Sequence, residues 1–344
     1  MKKTFLFLVG LVLVGILFFY FIFKTPLNNT YKKIDVQFPI YPENKNIVYL
    51  NKGNFTADEN GYLYYVTPIF NSEKNKEQLL VSKLNILSKN IDYIYLDTKT
   101  FETTENHGII LGSLTFDNNI LYYKGSKGIW KIENNKVEFL PFLNKIEFDY
   151  ANGGFVYFKN SFWIISKPIY RIGKKYGIYK YTKKNDVLIS EKTIKIEDVP
   201  LNIIKNNDEV YIFCHDIYSE KYNLYQIKND SLKKIYSIDG KRFNSSGWFK
   251  SNDSDKKYHW FSLKFISVLD NKMYILGILK DSNEYKLFEI NLNTKKEKSY
   301  NILPPLNSTF PTTQYLLKRY NNKSYLFIKN QDDPPNSIKI YIKK

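Results

Sequence analysis

Cysteine is almost missing from this chain. The one thiol among 344 residues, Cys214, excludes an internal disulfide, so any core is held by packing alone. Histidine is scarce as well: His107, His215 and His259 are the three, and none stands at ligand spacing from another. Cys214, His215 and Asp216 are contiguous, and neighbouring residues of a strand point to opposite faces, so they do not converge on one ion. Cys214 reads as core packing and His215 as a strand-end surface residue. The chain has no glycine-rich phosphate loop, nucleophile elbow or zincin motif. The acidic pairs Asp253/Asp255 and Asp332-Asp333 lack the further carboxylates that calcium needs and read as solvated loop. No catalytic residue, metal ligand or cofactor is therefore expected. Beyond the first 24 residues no long stretch carries the 3.6-residue apolar period, which leaves little room for helices.

Acidic residues are in deficit. Lys and Arg number 51 against 34 Asp and Glu, a formal +17. A binding surface for nucleic acid or an acidic polymer would concentrate that charge on one face or stripe. Here the lysines are scattered, mostly beside Asn or Asp in turn-like sequence. Lys, Asn, Ile and Tyr are abundant together, as in AT-rich coding sequence, and a nucleic-acid partner is not expected. The same bias accounts for sequon-like triplets such as Asn54-Phe55-Thr56 and Asn307-Ser308-Thr309.

What is present begins with an unbroken apolar run, Phe5 to Phe23, preceded by Lys2 and Lys3 and closed by Lys24. Nineteen residues at about 1.5 Å each span roughly 28 Å, close to the hydrocarbon core of a bilayer. A cleaved signal peptide has a shorter apolar region and a small-residue cleavage site. This run ends in Phe21-Ile22-Phe23-Lys24-Thr25-Pro26 and has no such site, and no cysteine follows for lipoprotein processing. The expectation is a cytoplasmic tail (1–4), a transmembrane signal anchor in the lipid bilayer (5–23), a linker (24–33) and one large domain (34–344). The basic residues at the N-terminus place that domain outside the cytoplasmic membrane.

The remainder reads as short strands and turns, rich in the strand formers Tyr (30) and Phe (25). Aligning its apolar-Tyr-apolar triplets exposes a repeat. They are Leu63-Tyr64-Tyr65, Leu121-Tyr122-Tyr123, Val156-Tyr157-Phe158, Val210-Tyr211-Ile212 and Met273-Tyr274-Ile275, with Ser324-Tyr325-Leu326 as a sixth. Most follow an Asn/Asp/Gly turn able to adopt positive φ, as tight hairpins require. A second strand follows in each unit, as in Tyr93–Leu96, Gly128–Ile132, Gly177–Tyr181, Asn223–Ile227, Lys286–Ile290 and Ser337–Tyr341. A more polar strand then usually closes the unit, and an apolar strand precedes each triplet.

That order resembles the blade of a β-propeller, and the resemblance covers roughly 34–344 at the level of architecture. The Gly-His…Trp-Asp signature of WD40 repeats and the kelch double glycine are not matched. The resemblance implies an all-β fold of about six four-stranded blades, with the tyrosine triplets on central strands covered on both faces. The last unit has no outer strand, and Ile34–Phe38 is expected to supply it and close the ring.

Two irregular stretches hold the candidate binding residues. The longer is Asp239 to Trp260, with Arg242, Trp248, Phe249, Tyr258, His259 and Trp260 among Gly, Ser and Asn. The second is Lys167 to Tyr176, which carries Tyr170 and Arg171. Long loops with aromatic residues are frequent contact sites. The expected function is a membrane-anchored binding or scaffold module that presents a propeller face to a protein or polysaccharide. The alternative is an extracytoplasmic hydrolase or lyase acting on envelope sugars or peptides, its groups drawn from several blades.

Overall fold

The computed structural model describes residues 30–34, 46–49, 54–97, 113–125, 128–143, 154–165, 176–251, 254–304, 306, 313–330 and 338–343. The apolar run at 5–23 and the residues Tyr170 and Arg171 lie outside them. Among the described residues there is no α-helix, and no helix long and apolar enough to cross a membrane.

The chain enters on β1 (Thr30–Ile34) and then lays down six blades in order. Blade 1 is β3 (Asn54–Ala57), β4 (Tyr62–Asn71), β5 (Lys76–Asn85) and β6 (Ile91–Asp97). A short β2 (Ile47–Tyr49) extends the inner edge along the far half of β4. Blade 2 is β7 (Ser113–Asp117), β8 (Ile120–Lys124), β9 (Gly128–Glu133) and β10 (Lys136–Pro141). Blade 3 is β11 (Phe155–Phe158), β12 (Ser161–Ile165), β13 (Tyr176–Lys184) and β14 (Val187–Ile196). Blade 4 is β15 (Val199–Asn206), β16 (Glu209–Asp216), β17 (Lys221–Lys228) and β18 (Ser231–Asp239). After a separate hairpin, β19 (Ser245–Ser251) with β20 (Ser254–Phe261), blade 5 is β21 (Leu263–Leu269), β22 (Lys272–Gly277), β23 (Lys286–Asn291) and β24 (Glu297–Leu303). Blade 6 is β25 (Thr313–Tyr320), β26 (Lys323–Asn330) and β27 (Lys339–Lys343), with β1 as its outer strand.

The ring is closed. Each inner strand touches the next in the cyclic order β3, β7, β11, β15, β21, β25 and back to β3. One apolar core fills each of the six interfaces between consecutive blades. Because a lone four-stranded sheet leaves both faces wet, only this stacking buries them. Within the ring, Lys205 of blade 4 pairs with Asp117 of blade 2. These blades are not neighbours, so the pair passes the inner edge of blade 3.

Closure uses the N-terminal strand. β1 runs antiparallel to β27, with Tyr31 opposite Lys343, and parallel to β24, with Tyr31 opposite Ile302. Blades 5 and 6 thereby form one continuous eight-stranded sheet. The strand that completes the last blade is thus Thr30–Ile34, just ahead of the expected Ile34–Phe38, and the propeller takes in residues assigned above to the linker. Tyr31 drives this placement. It is fully buried, with its ring edge-on to Tyr300 at 5.7 Å.

The tyrosine repeat holds in five blades. Counting from the turn that precedes each second strand, the third residue is Tyr64, Tyr122, Tyr211, Tyr274 and Tyr325 in blades 1, 2, 4, 5 and 6. Each packs toward the following blade, and its successor packs toward the preceding one. Blade 3 departs from the expected alignment: Tyr157 lies on the inner strand β11, and Trp163 of β12 holds the equivalent position. In blade 1, Tyr93–Leu96 is the outer strand, since β4 and β5 are both long and supply the central pair.

Asparagine has a conformational job. Two-residue turns with φ near 50–60° at both positions occur at Asn118-Asn119, Asn134-Asn135, Lys159-Asn160, Asn185-Asp186, Asn229-Asp230, Asp270-Asn271 and Asn321-Asn322. This is the left-handed pair that matches the twist of a hairpin, and Asn adopts it with little strain because its short side chain bonds locally.

His215 is not at the surface. It sits in β16 with no exposure, stacked on Tyr222 at 4.4 Å. Cys214 is buried beside it on the opposite face, as core packing requires. Both residues are covered because β16 is a central strand with a blade on either side.

Candidate functional site

Strand direction gives the ring two unequal faces. The turns from inner to second strand and from third to outer strand all open on one side, the turn face, and none there is longer than five residues. The connections from second to third strand and from one blade to the next open on the other side, the loop face. The strand ends that flank every connection of eight residues or more are on that side, and the hairpin β19–β20 lies there. The stretch Asp239–Trp260 therefore belongs to the loop face.

Asp239–Trp260 is a folded insertion and not an irregular loop. Asp239 caps a short 3₁₀ turn, Gly240–Arg242, its side chain accepting from the Lys241 N–H. The chain then forms β19 and β20, which pair Trp248 with His259, Phe249 with Tyr258 and Gly247 with Trp260. Strand alternation sorts these residues. Tyr258 is buried and meets Tyr218 edge-on at 5.9 Å, which ties the hairpin to the β16–β17 turn of blade 4. Trp260 lies across Gly247 so closely that a Cβ there would come within 2.2 Å of its ring nitrogen. Only glycine admits that contact.

The opposite face of the hairpin presents Trp248, His259 and Lys257. Trp248 is 51% exposed, and the Lys257 ammonium stands over its ring at 4.4 Å. His259 is half-buried, its Nδ1 at 3.2 Å from the Ser245 hydroxyl. The arrangement is an aromatic plate with a cation above it and an imidazole beside it, suited to stacking and hydrogen bonding.

Arg242 is committed elsewhere. Its guanidinium donates twice to Glu297, at 2.9 and 2.6 Å, and lies over the rings of Phe243 and Phe288. It braces the hairpin base against blade 5. Replacing Arg242 with alanine is expected to cost about 1 kcal/mol, since the pair is bidentate yet partly solvated. Urea denaturation measures this, and a loss under ~0.3 kcal/mol would mean that Arg242 does not brace the hairpin.

Of the sequence candidates, the structure thus brings Trp248 and His259 to one exposed face with Lys257, which the sequence did not single out. Tyr258, Trp260 and Arg242 build the support. The side chain of Phe249 lies outside the described residues, as do Tyr170 and Arg171. Among the described residues, no three His, Cys, Asp or Glu side chains are grouped to hold a metal ion.

No family model matches this sequence, and no curated protein is significantly similar to it. Among solved structures, the chain is similar to the β-propeller domain of the Trilobed protease from Pyrococcus furiosus, described as an open velcro topology. Identity is 10%, coverage 86% of this chain and 82% of that one, and the TM-score 0.45. YjhT is similar at 8% identity over 89% of this chain and 100% of that one, with a TM-score of 0.46. The acylaminoacyl peptidase of Pyrococcus horikoshii is similar at 10% identity over 84% of this chain, which spans 44% of the peptidase, with a TM-score of 0.43. Structural neighbours of this chain are β-propeller domains, and the blade count and the ring closure come from its own sheets.

Proposed function

We propose that this protein is a binding module, held at a membrane by residues 5–23 with its propeller outside the cytoplasmic membrane. Its loop face receives a protein or polysaccharide partner. The observation that carries this reading is the inequality of the two faces. One is finished in tight asparagine turns, and the other displays a dedicated hairpin whose inner side is packed and whose outer side leaves Trp248 open. A hairpin that served packing alone would turn both of its tryptophans inward, as it does Trp260, because burying such a ring is worth more than exposing it. Lys257 and His259 flank that ring with polar groups able to fix a ligand's orientation.

Trp248 is the test. Anchors of this type carry most of an interface's energy, so Trp248→Ala is expected to weaken partner binding by at least ~2 kcal/mol. Its stability is expected to stay within about 0.5 kcal/mol of wild type, as for other surface substitutions. Immobilised full-length protein and the variant are compared for retention of envelope proteins and of cell-wall polysaccharide. Equal retention by both, with an unchanged melting temperature, would remove the hairpin from the binding surface.

A further inference from the structure

We infer that the propeller stands with its turn face toward the bilayer and its loop face, hairpin included, pointing away from it. This orientation rests on the membrane-anchor reading proposed above and adds which surface meets lipid. It follows from the polarity of β1. In blade 6, β25 runs toward the turn face, β26 returns, and β27 runs toward the turn face again, ending at Lys343. β1 is antiparallel to β27, with Tyr31 opposite Lys343 and Ile34 opposite Ile340. Its Thr30 end is therefore at the turn face and its Ile34 end at the loop face. The parallel pairing with β24 agrees, because outer strands start on the turn face. Cumulative strand twist tilts an outer strand toward the rim, but Thr30 stays on the side where Lys343 ends.

The chain between Phe23 and Thr30 is short. Phe23 and Thr30 are seven residue steps apart, about 24 Å even fully extended, no more than the height of a blade, which is roughly 25 Å for eight-residue strands. A tether of that length leaving the turn face does not carry the loop face to the membrane surface. The composition of the turn face suits a neighbour of hydrated headgroups. Its connections are Glu59-Asn60-Gly61, Asn118-Asn119, Asn134-Asn135, Lys159-Asn160, Asn185-Asp186 and their equivalents, and Leu87 is the large apolar side chain exposed there. Such a surface lies against headgroups without inserting, so the tether and not lipid affinity sets the pose.

The experiment uses full-length protein reconstituted into vesicles that contain a headgroup-linked energy acceptor. Cys214 is buried and should stay unlabelled, so single cysteines report alone: Lys136→Cys and Lys323→Cys at the turn face, Ser246→Cys on the hairpin. All three positions are exposed. Energy transfer to the membrane is expected to be greater at the two turn-face sites by about twofold or more, since one blade height of ~25 Å separates the faces. Equal transfer, or greater transfer at Ser246→Cys, overturns the orientation while the protein still floats with the vesicles. Protein that fails to float overturns the anchor itself and this orientation with it.

Discussion

Replacing Tyr31 with alanine is expected to lower the unfolding free energy by about 3–5 kcal/mol, the range for removing a fully buried aromatic ring. Tyr31 sits where the ring is joined. Its backbone is paired on both sides, to β27 and to β24, and its side chain fills the core between blades 5 and 6 with Tyr274, Leu287 and Tyr341. Burial pushes its hydroxyl up to about 12, so it stays a neutral donor at any physiological pH. Truncation leaves a cavity that neighbouring strands cannot close without breaking the pairing. Lys33 is exposed on the same strand, and Lys33→Ala is expected to change stability by less than about 0.5 kcal/mol. Urea denaturation of both variants against wild type measures the difference. A Tyr31→Ala loss below ~1 kcal/mol would mean that backbone pairing alone holds the ring shut.

Acid is expected to destabilise the propeller through His215, and His215→Phe is expected to relieve it. Desolvation in β16, chiefly, lowers the His215 pKa to about 4 from its usual 6.5, although Asp216 and Glu220 pull it the other way. In the unfolded chain the imidazole protonates near 6.5. The stabilisation from a neutral buried ring is complete above that pH. It is lost as pH falls from 6.5 toward 4, because only the unfolded state takes up the proton. At roughly 1.4 kcal/mol per pKa unit, the gap is worth about 3 kcal/mol. Phenylalanine keeps the stack on Tyr222 and has nothing to protonate. Denaturation at pH 7.5 and pH 4.5 separates His215 from the carboxylates, which titrate in both proteins. The idea fails if wild type and variant lose the same stability between the two pH values.

These two residues also mark where the sequence could be read and where it could not. The repeat was legible because five second strands carry a tyrosine at one offset from an asparagine turn, and each has the same contact to make with the next blade. Blade 3 hid its register because Val156-Tyr157-Phe158 has the pattern of a second strand while Trp163 does the work. Both segments are apolar and short, and periodicity alone does not rank them. His215 was misplaced for a related reason. A single histidine at the end of an apolar run carries no sign of burial, which comes from Tyr222 on the neighbouring strand and from blade 5. The hairpin was legible as a site but not as a structure. Its order depends on Gly247 under Trp260 and on Tyr258 against Tyr218, contacts that strand propensity does not announce.

The placement of β1 gives the molecule an order of events. The first of the described strands has as its partner the last of them, with Tyr31 and Lys343 roughly three hundred residues apart in the chain. Until β27 has been synthesised, blade 6 has only β25 and β26 paired, and β1 has only β24 to bind. Every other blade is local in sequence and folds from hairpins as it emerges. During elongation the unfinished edges of β24 and β26 are therefore open to pairing with other chains. Completion converts those two hazards into one continuous sheet, and this slow, non-local step waits for β27.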